Sequence, residues 1–241
     1  MEQKYYDIAY SESPYGTLNQ YMSRTFSWMF AGLLATFTVA IATTVTGLYV
    51  LLFNTGLVFA TSIGELVLVF VLSMRITKIK PSTAAGMFFV YAILNGLNFS
   101  VYFVVYDLST LILAFLVGAL YFGIMALYGT RTQKDLSGWG PKLMACLVTL
   151  LVVSLVGTLG SVFFHWNFGV MDLLVSAVGV VVFMGFTAYD TQKLKYYYSC
   201  YGGDEAMLQK STVIGALQLY LDYINIFLYV LRILARSRSN D

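Results

Sequence analysis

Val180-Val181-Val182-Phe183-Met184-Gly185-Phe186-Thr187-Ala188-Tyr189-Asp190 is the stretch that decides what this chain is. It is the end of a longer apolar block, 170–189, and it closes on an aspartate. A block of about 20 apolar residues matches the ~30 Å hydrocarbon core of a bilayer when coiled as a helix. Working outward, six more such blocks follow the same rule, at 27–51, 57–74, 84–105, 108–128, 143–164 and 212–234. Hydrophobic residues make up 59% of the 241 residues and charged residues only 11%, against roughly 25% charged in ordinary soluble domains. The chain reads as an all-α polytopic membrane protein with seven transmembrane helices.

Little is left for other domains. Residues 1–20 read as a short polar cytoplasmic tail, 21–236 as the membrane domain and 237–241 as a short C-terminal tail. The first block runs to span length without a small-residue cleavage site, so it reads as a retained helix and not as a signal peptide. A net charge of +2 gives no electrostatic footprint for nucleic acid. Cys146 and Cys200 lack metal-site spacing and read as an apolar filler and a loop thiol. Ser161 and His165 share a helix face, but no nucleophile motif surrounds them, and HExxH, P-loop and GxGxxG patterns are absent. Neither an enzyme nor a cofactor is expected. No inverted repeat is visible to suggest a transporter built on one.

Charge sets the orientation. Lys4 and Arg24 precede the first span, Arg75, Lys78 and Lys80 follow the second, Arg131, Lys134 and Lys142 follow the fourth, and Lys193, Lys195 and Lys210 follow the sixth. The alternate loops near Asn54, Asp107 and Trp166 carry no Lys or Arg. The positive-inside rule places the N-terminus in the cytoplasm. Arg232, Arg236 and Arg238 break the pattern if the last segment crosses fully; seven full spans is the simpler reading, and a re-entrant last segment is the alternative.

Polar residues inside the spans fall in register. Tyr91, Asn95, Asn98 and Tyr102 share one face of the third span, and Gln218, Asp222, Asn225 and Tyr229 one face of the seventh. Asp172 and Asp190 are 18 residues apart on the sixth, hence on one face and about 27 Å apart along the axis. Ala119 and Gly123 form a small-x-x-x-small pair expected to pack closely.

Hydrogen-bond glue between helices explains some of these residues. Deep aspartates need more, because an ionisable group at a helix centre costs about 2.5–3.5 kcal/mol on insertion scales and such groups mark ion pathways. The second deep aspartate is Asp222, in Ala216-Leu217-Gln218-Leu219-Tyr220-Leu221-Asp222-Tyr223-Ile224-Asn225-Ile226-Phe227-Leu228. Counted from Gly203 in the turn Tyr201-Gly202-Gly203-Asp204, Asp190 is 13 residues back and Asp222 is 19 forward. Their depths then differ by only about 9 Å. Two carboxylates that meet in low dielectric cannot both ionise cheaply, so they share a proton and titrate as a pair. A divalent cation replaces that proton. Ca²⁺ takes six to eight oxygens, so two aspartates need help from Thr191, Gln192, Gln218, Asn225, backbone or water, and binding is expected to be weak. Glu65, Asp172, Asn95, Asn98, Gln218 and Asn225 are further candidates along a cation path.

The segment Gly185–Gln192 together with Ala216–Leu228 resembles the transmembrane Bax inhibitor motif family, and the span count and tails extend the resemblance over the whole chain. The resemblance implies a last helix enclosed by the other six and, for bacterial members, a pH-dependent Ca²⁺ leak channel. Eukaryotic members restrain cell death by lowering stored Ca²⁺. It implies a pH-sensing pair at Asp190 and Asp222 and a closing arginine at Arg75. The short C-terminal tail favours a bacterial cytoplasmic membrane, with the endoplasmic reticulum as the alternative. The expected partners are the lipid bilayer, Ca²⁺ and H⁺. Two rival functions share these residues: a proton-coupled Ca²⁺ exchanger, and a non-transporting regulator that binds other membrane proteins through its tail and Tyr196-Tyr197-Tyr198.

Overall fold

The structure is a computed structural model that describes residues 16–75, 78–166 and 169–238. Lys4, most of the N-terminal tail, residues 239–241 and the side chain of Arg238 lie outside the described residues. Among the described residues the regular structure is helical: α1 (Leu18–Val45), α2 (Leu48–Asn54), α3 (Leu57–Arg75), α4 (Pro81–Val105), α5 (Leu108–Arg131), α6 (Trp139–Phe164), α7 (Gly169–Tyr201) and α8 (Glu205–Arg238). Seven of them, all but α2, are long and apolar enough to cross a membrane.

Helix ends explain where the expected spans shift. The first helix begins at Leu18 and not near 27, because Thr17 and Gln20 form a capping box over a polar first turn. It stops at Val45, short of the expected 51, since Gly47 adopts φ +74° and the chain restarts as α2. Pro81 opens α4 at its first turn, where its missing N–H costs nothing. The last two helices are longer than the apolar blocks that announced them. At 33 and 34 residues each is about 50 Å long, so polar turns extend beyond the hydrocarbon. Nothing breaks α7 before Gly202-Gly203, and Asp204 caps α8 by accepting the Met207 N–H at 3.0 Å.

The chain divides into two compact units. The first holds residues 16–107 and 194–220. Its α1 and α4 approach closely at Gly96, where a Cβ would stand 2.6 Å from the Thr36 carbonyl oxygen. The Thr36 hydroxyl lies 2.7 Å from Tyr220 Oη and 2.9 Å from the Ala92 carbonyl. At the polar end of this unit the Tyr198 hydroxyl donates to the Gly16 carbonyl at 2.7 Å, and the Tyr21 hydroxyl meets Ser211 Oγ at 3.0 Å.

The second unit holds 108–193 and 221–238. Here α5 and α7 touch backbone to backbone, Gly129 against Ala188, and Gly118 admits the backbone of Phe227. The expected close contact at Ala119 and Gly123 is not the one used, for a Cβ on Gly123 meets nothing within 4 Å. The packed face of α5 is Leu111, Ala114, Gly118, Phe122, Ala126 and Gly129, displaced by one residue from the motif.

Burial singles out α8. In its most apolar stretch 72% of residues are buried, against 44% or less in every other span and 6% in α3. Within the second unit Asp222, Tyr223 and Ile224 are consecutive and all buried, and at 100° per residue they point to three sides of the helix.

Candidate functional site: a buried aspartate pair

Asp190 lies two-thirds of the way along α7, and Asp222 near the middle of α8. Both belong to the second unit. The two residues are 6% and 4% exposed, and the Asp190 carboxylate acts electrostatically on that of Asp222. The two deep aspartates selected by the sequence are thus both buried within one unit.

Oxygen accounting shows what the pair lacks. Asp190 Oδ1 and Asp222 Oδ2 are buried without a hydrogen-bond partner, and so is Thr191 Oγ1 next to Asp190. Lys193, one turn on, places Nζ 4.0 Å from Asp190 Oδ1 while lying 5.6 Å from the Tyr189 ring centroid. Its charge reaches both carboxylates. Buried carboxylate oxygens without donors call for a proton or a cation, and one partly exposed lysine at 4.0 Å supplies only part of that. The sequence reading missed Lys193, although the i, i+3 spacing from Asp190 was the available signal.

Gln192 has a different task from the ligand role expected of it. Its Oε1 accepts the Leu136 N–H at 2.8 Å and its Nε2 donates to the Lys134 carbonyl at 2.8 Å. The amide therefore straps the α5–α6 loop to α7 two residues from Asp190, and Leu136 beside it is only 1% exposed. Within that loop the Ser137 N–H and hydroxyl both reach the Asp135 carboxylate at 2.8 Å, which lowers its pKa below the ordinary value.

The remaining candidates divide by unit. Asp172, in the first turn of α7, accepts from Arg232 of α8 at 3.3 Å, and Arg232 also lies 5.5 Å from the Tyr229 ring centroid. Asn225 turns its amide back to the Leu221 carbonyl at 2.8 Å. In the first unit Glu65, Asn98 and Asn95 gather between α3 and α4, Gln218 has a buried, unpartnered Oε1, and Arg75 is exposed at the end of α3. Ser161 donates to the Trp166 carbonyl at 3.1 Å and not to His165. The two cysteines are free and exposed. Of the tyrosine run, Tyr198 is fully buried and Tyr196 exposed. Among the described residues no group of three or more His, Cys, Asp or Glu gathers as metal ligands, so Ca²⁺ held by the aspartate pair would draw further oxygens from Thr191, backbone or water.

A model of the family described as inhibitor of apoptosis-promoting Bax1 matches residues 18–240. The chain belongs to this Bax inhibitor family. Inner membrane protein YbhL of Escherichia coli K12 is 39% identical over 228 residues, covering 93% of this chain and 95% of the relative. An uncharacterized protein of Deinococcus radiodurans is also 39% identical, over 229 residues, with 90% and 92% covered. RP147 of Rickettsia prowazekii is 35% identical over 223 residues, with 92% of each chain covered. With seven apolar spans and an inner-membrane relative matched end to end, this family member is a multi-pass protein of the bacterial cytoplasmic membrane.

Proposed function

We propose that the chain is a Ca²⁺ leak channel opened by protons at the Asp190–Asp222 pair. The observation that carries the reading is two buried carboxylates, Asp190 acting electrostatically on Asp222, each with an oxygen that has no hydrogen-bond donor. Such a pair holds a proton or a cation in exchange for one another, and weakly, which suits passage better than storage. When both aspartates ionise at high pH, Asp190 draws a cationic latch, assigned to Arg75 from the sequence, and the path closes. As pH falls the pair takes up protons, the latch loses its anion and the path opens. Asp172 then lies toward the outer mouth.

The same observation supports a second reading, exchange of Ca²⁺ for H⁺ at one site by turns. Purified protein in liposomes separates the two. A leak passes Ca²⁺ down its gradient with no stoichiometric proton countermovement, whereas an exchanger acidifies or alkalises the lumen in proportion to the Ca²⁺ moved. Absence of flux above empty liposomes at every pH would refute both.

A further inference from the structure

We infer that Lys193 is a tethered competitor at the aspartate pair, an ammonium that an incoming Ca²⁺ must displace and that keeps Ca²⁺ binding weak. The inference rests on the leak-channel reading and adds to it the group that sets affinity at that site.

Asp190, Lys193 and Asp222 all belong to the second unit. Asp190 and Lys193 stand one turn apart on α7, and the Lys193 charge acts on Asp190 and on Asp222 of α8. Yet the ammonium stops 4.0 Å from Asp190 Oδ1, beyond the reach of about 3.2 Å that a hydrogen bond allows. That oxygen is left buried without a hydrogen-bond partner, and Asp222 Oδ2 is in the same condition. Lys193 therefore offsets charge at the pair without occupying either oxygen, and both stay open to an ion that coordinates them directly.

A lysine ammonium only donates. It adds nothing to the oxygens that Ca²⁺ requires, and its charge repels the ion, so Ca²⁺ at the pair drives it outward. The side chain has somewhere to go. It is 28% exposed, and Nζ already lies 5.6 Å from the Tyr189 ring centroid, within cation–π range. Its flexible four-carbon stem swings from Asp190 toward the ring face or water without any movement of the helix. Neighbouring Gln192 is differently placed, since both ends of its amide are held by the backbone of Lys134 and Leu136. A competitor of this kind lowers affinity while the carboxylates stay where they are. Conduction needs that balance, binding favourable enough to admit an ion and weak enough to release it.

The test uses the full chain in phosphatidylcholine nanodiscs at about pH 8 and about 10 mM ionic strength, where charges are least screened. Binding of radioactive calcium and the melting temperature are followed across a Ca²⁺ titration for wild type, Lys193→Met, Lys193→Arg, Lys195→Met and Asp190→Asn. Methionine keeps much of the stem and removes the charge, arginine keeps the charge, and Lys195→Met removes the same charge about 200° round the helix. Lys193→Met is expected to bring half-saturation down at least about fivefold. Coulomb's law gives that much even at the dielectric of water for a double charge about 8 Å from a single one, the separation after the ammonium has swung out. Lys193→Arg and Lys195→Met are expected to stay within about twofold of wild type, and Asp190→Asn to lose binding. A half-saturation unmoved in Lys193→Met, or moved equally in Lys195→Met, would overturn the inference and leave Lys193 an ordinary interfacial lysine. The leak-channel reading survives that result where Asp190→Asn still loses Ca²⁺. No Ca²⁺ bound by wild type or by any variant would overturn both.

Discussion

Gln192→Ala should loosen the loop beside the aspartate pair by an amount that the hydrogen bonds fix. In wild type, undocking residues 132–138 breaks two hydrogen bonds of 2.8 Å and exposes Leu136, which is otherwise 1% exposed. At about 1 kcal/mol net for each hydrogen bond and about 2 kcal/mol for the leucine side chain, the docked loop is favoured by roughly 4 kcal/mol. Removing the amide leaves about 2 kcal/mol from the leucine, and at 1.4 kcal/mol per tenfold the undocked population rises roughly 30-fold. Lys134 sits within the loop and is exposed, so trypsin reads that population directly when reclosing outpaces cleavage. The assay is the rate of cleavage after Lys134 in nanodiscs, wild type against Gln192→Ala, with an exposed site elsewhere as the internal standard. A rate within about threefold of wild type would refute the reasoning, because it would mean that the strap contributes less than about 0.7 kcal/mol.

Gly96→Ala should lower the melting temperature, because its new methyl meets the Thr36 carbonyl oxygen at 2.6 Å and Val39 Cβ at 2.7 Å, an overpacking worth about 1–3 kcal/mol; Gly123→Ala, which meets nothing within 4 Å, should be neutral or stabilising by up to about 1 kcal/mol, and the two melts measured together check both. Asp135→Asn should leave the pH profile of Ca²⁺ flux between pH 6 and 8 superimposable on wild type. The Asp135 carboxyl is depressed by Ser137, so its contribution is complete above the ordinary carboxylate value and is lost only as pH falls below about 4. Arg232→Gln should cost under about 1 kcal/mol in thermal stability, since the pair with Asp172 has side chains 43% and 33% exposed and exposed pairs are worth little.

The membrane fold was legible because apolar block length follows bilayer thickness, and the seven blocks are seven long helices in the structure. Helix ends were less legible. The extension of α7 to Tyr201 and the early start of α8 at Glu205 run through charged residues that no hydropathy window rewards. The burial of Asp190 and Asp222 was legible because each stands in or at the end of an apolar block. Side-chain pairing was not legible where one atom chooses among several partners. Gln192 reads as a ligand for its neighbour Asp190, yet backbone groups 56 and 58 residues away claim both ends of its amide. The small-residue pair Ala119 and Gly123 failed for a related reason, since such a motif has the same spacing on a lipid-facing and on a packed face, and only the neighbours decide which it is.

The central claim rests on two carboxylates, and Ca²⁺ flux into proteoliposomes of the purified protein between pH 6 and 8 tests it most directly, with Asp190→Asn and Asp222→Asn measured beside wild type. The account predicts flux that rises as pH falls in wild type and a flat profile in each variant. A variant that keeps the wild-type pH response would contradict it, and no flux above empty liposomes at any pH would reduce both aspartates to packing residues.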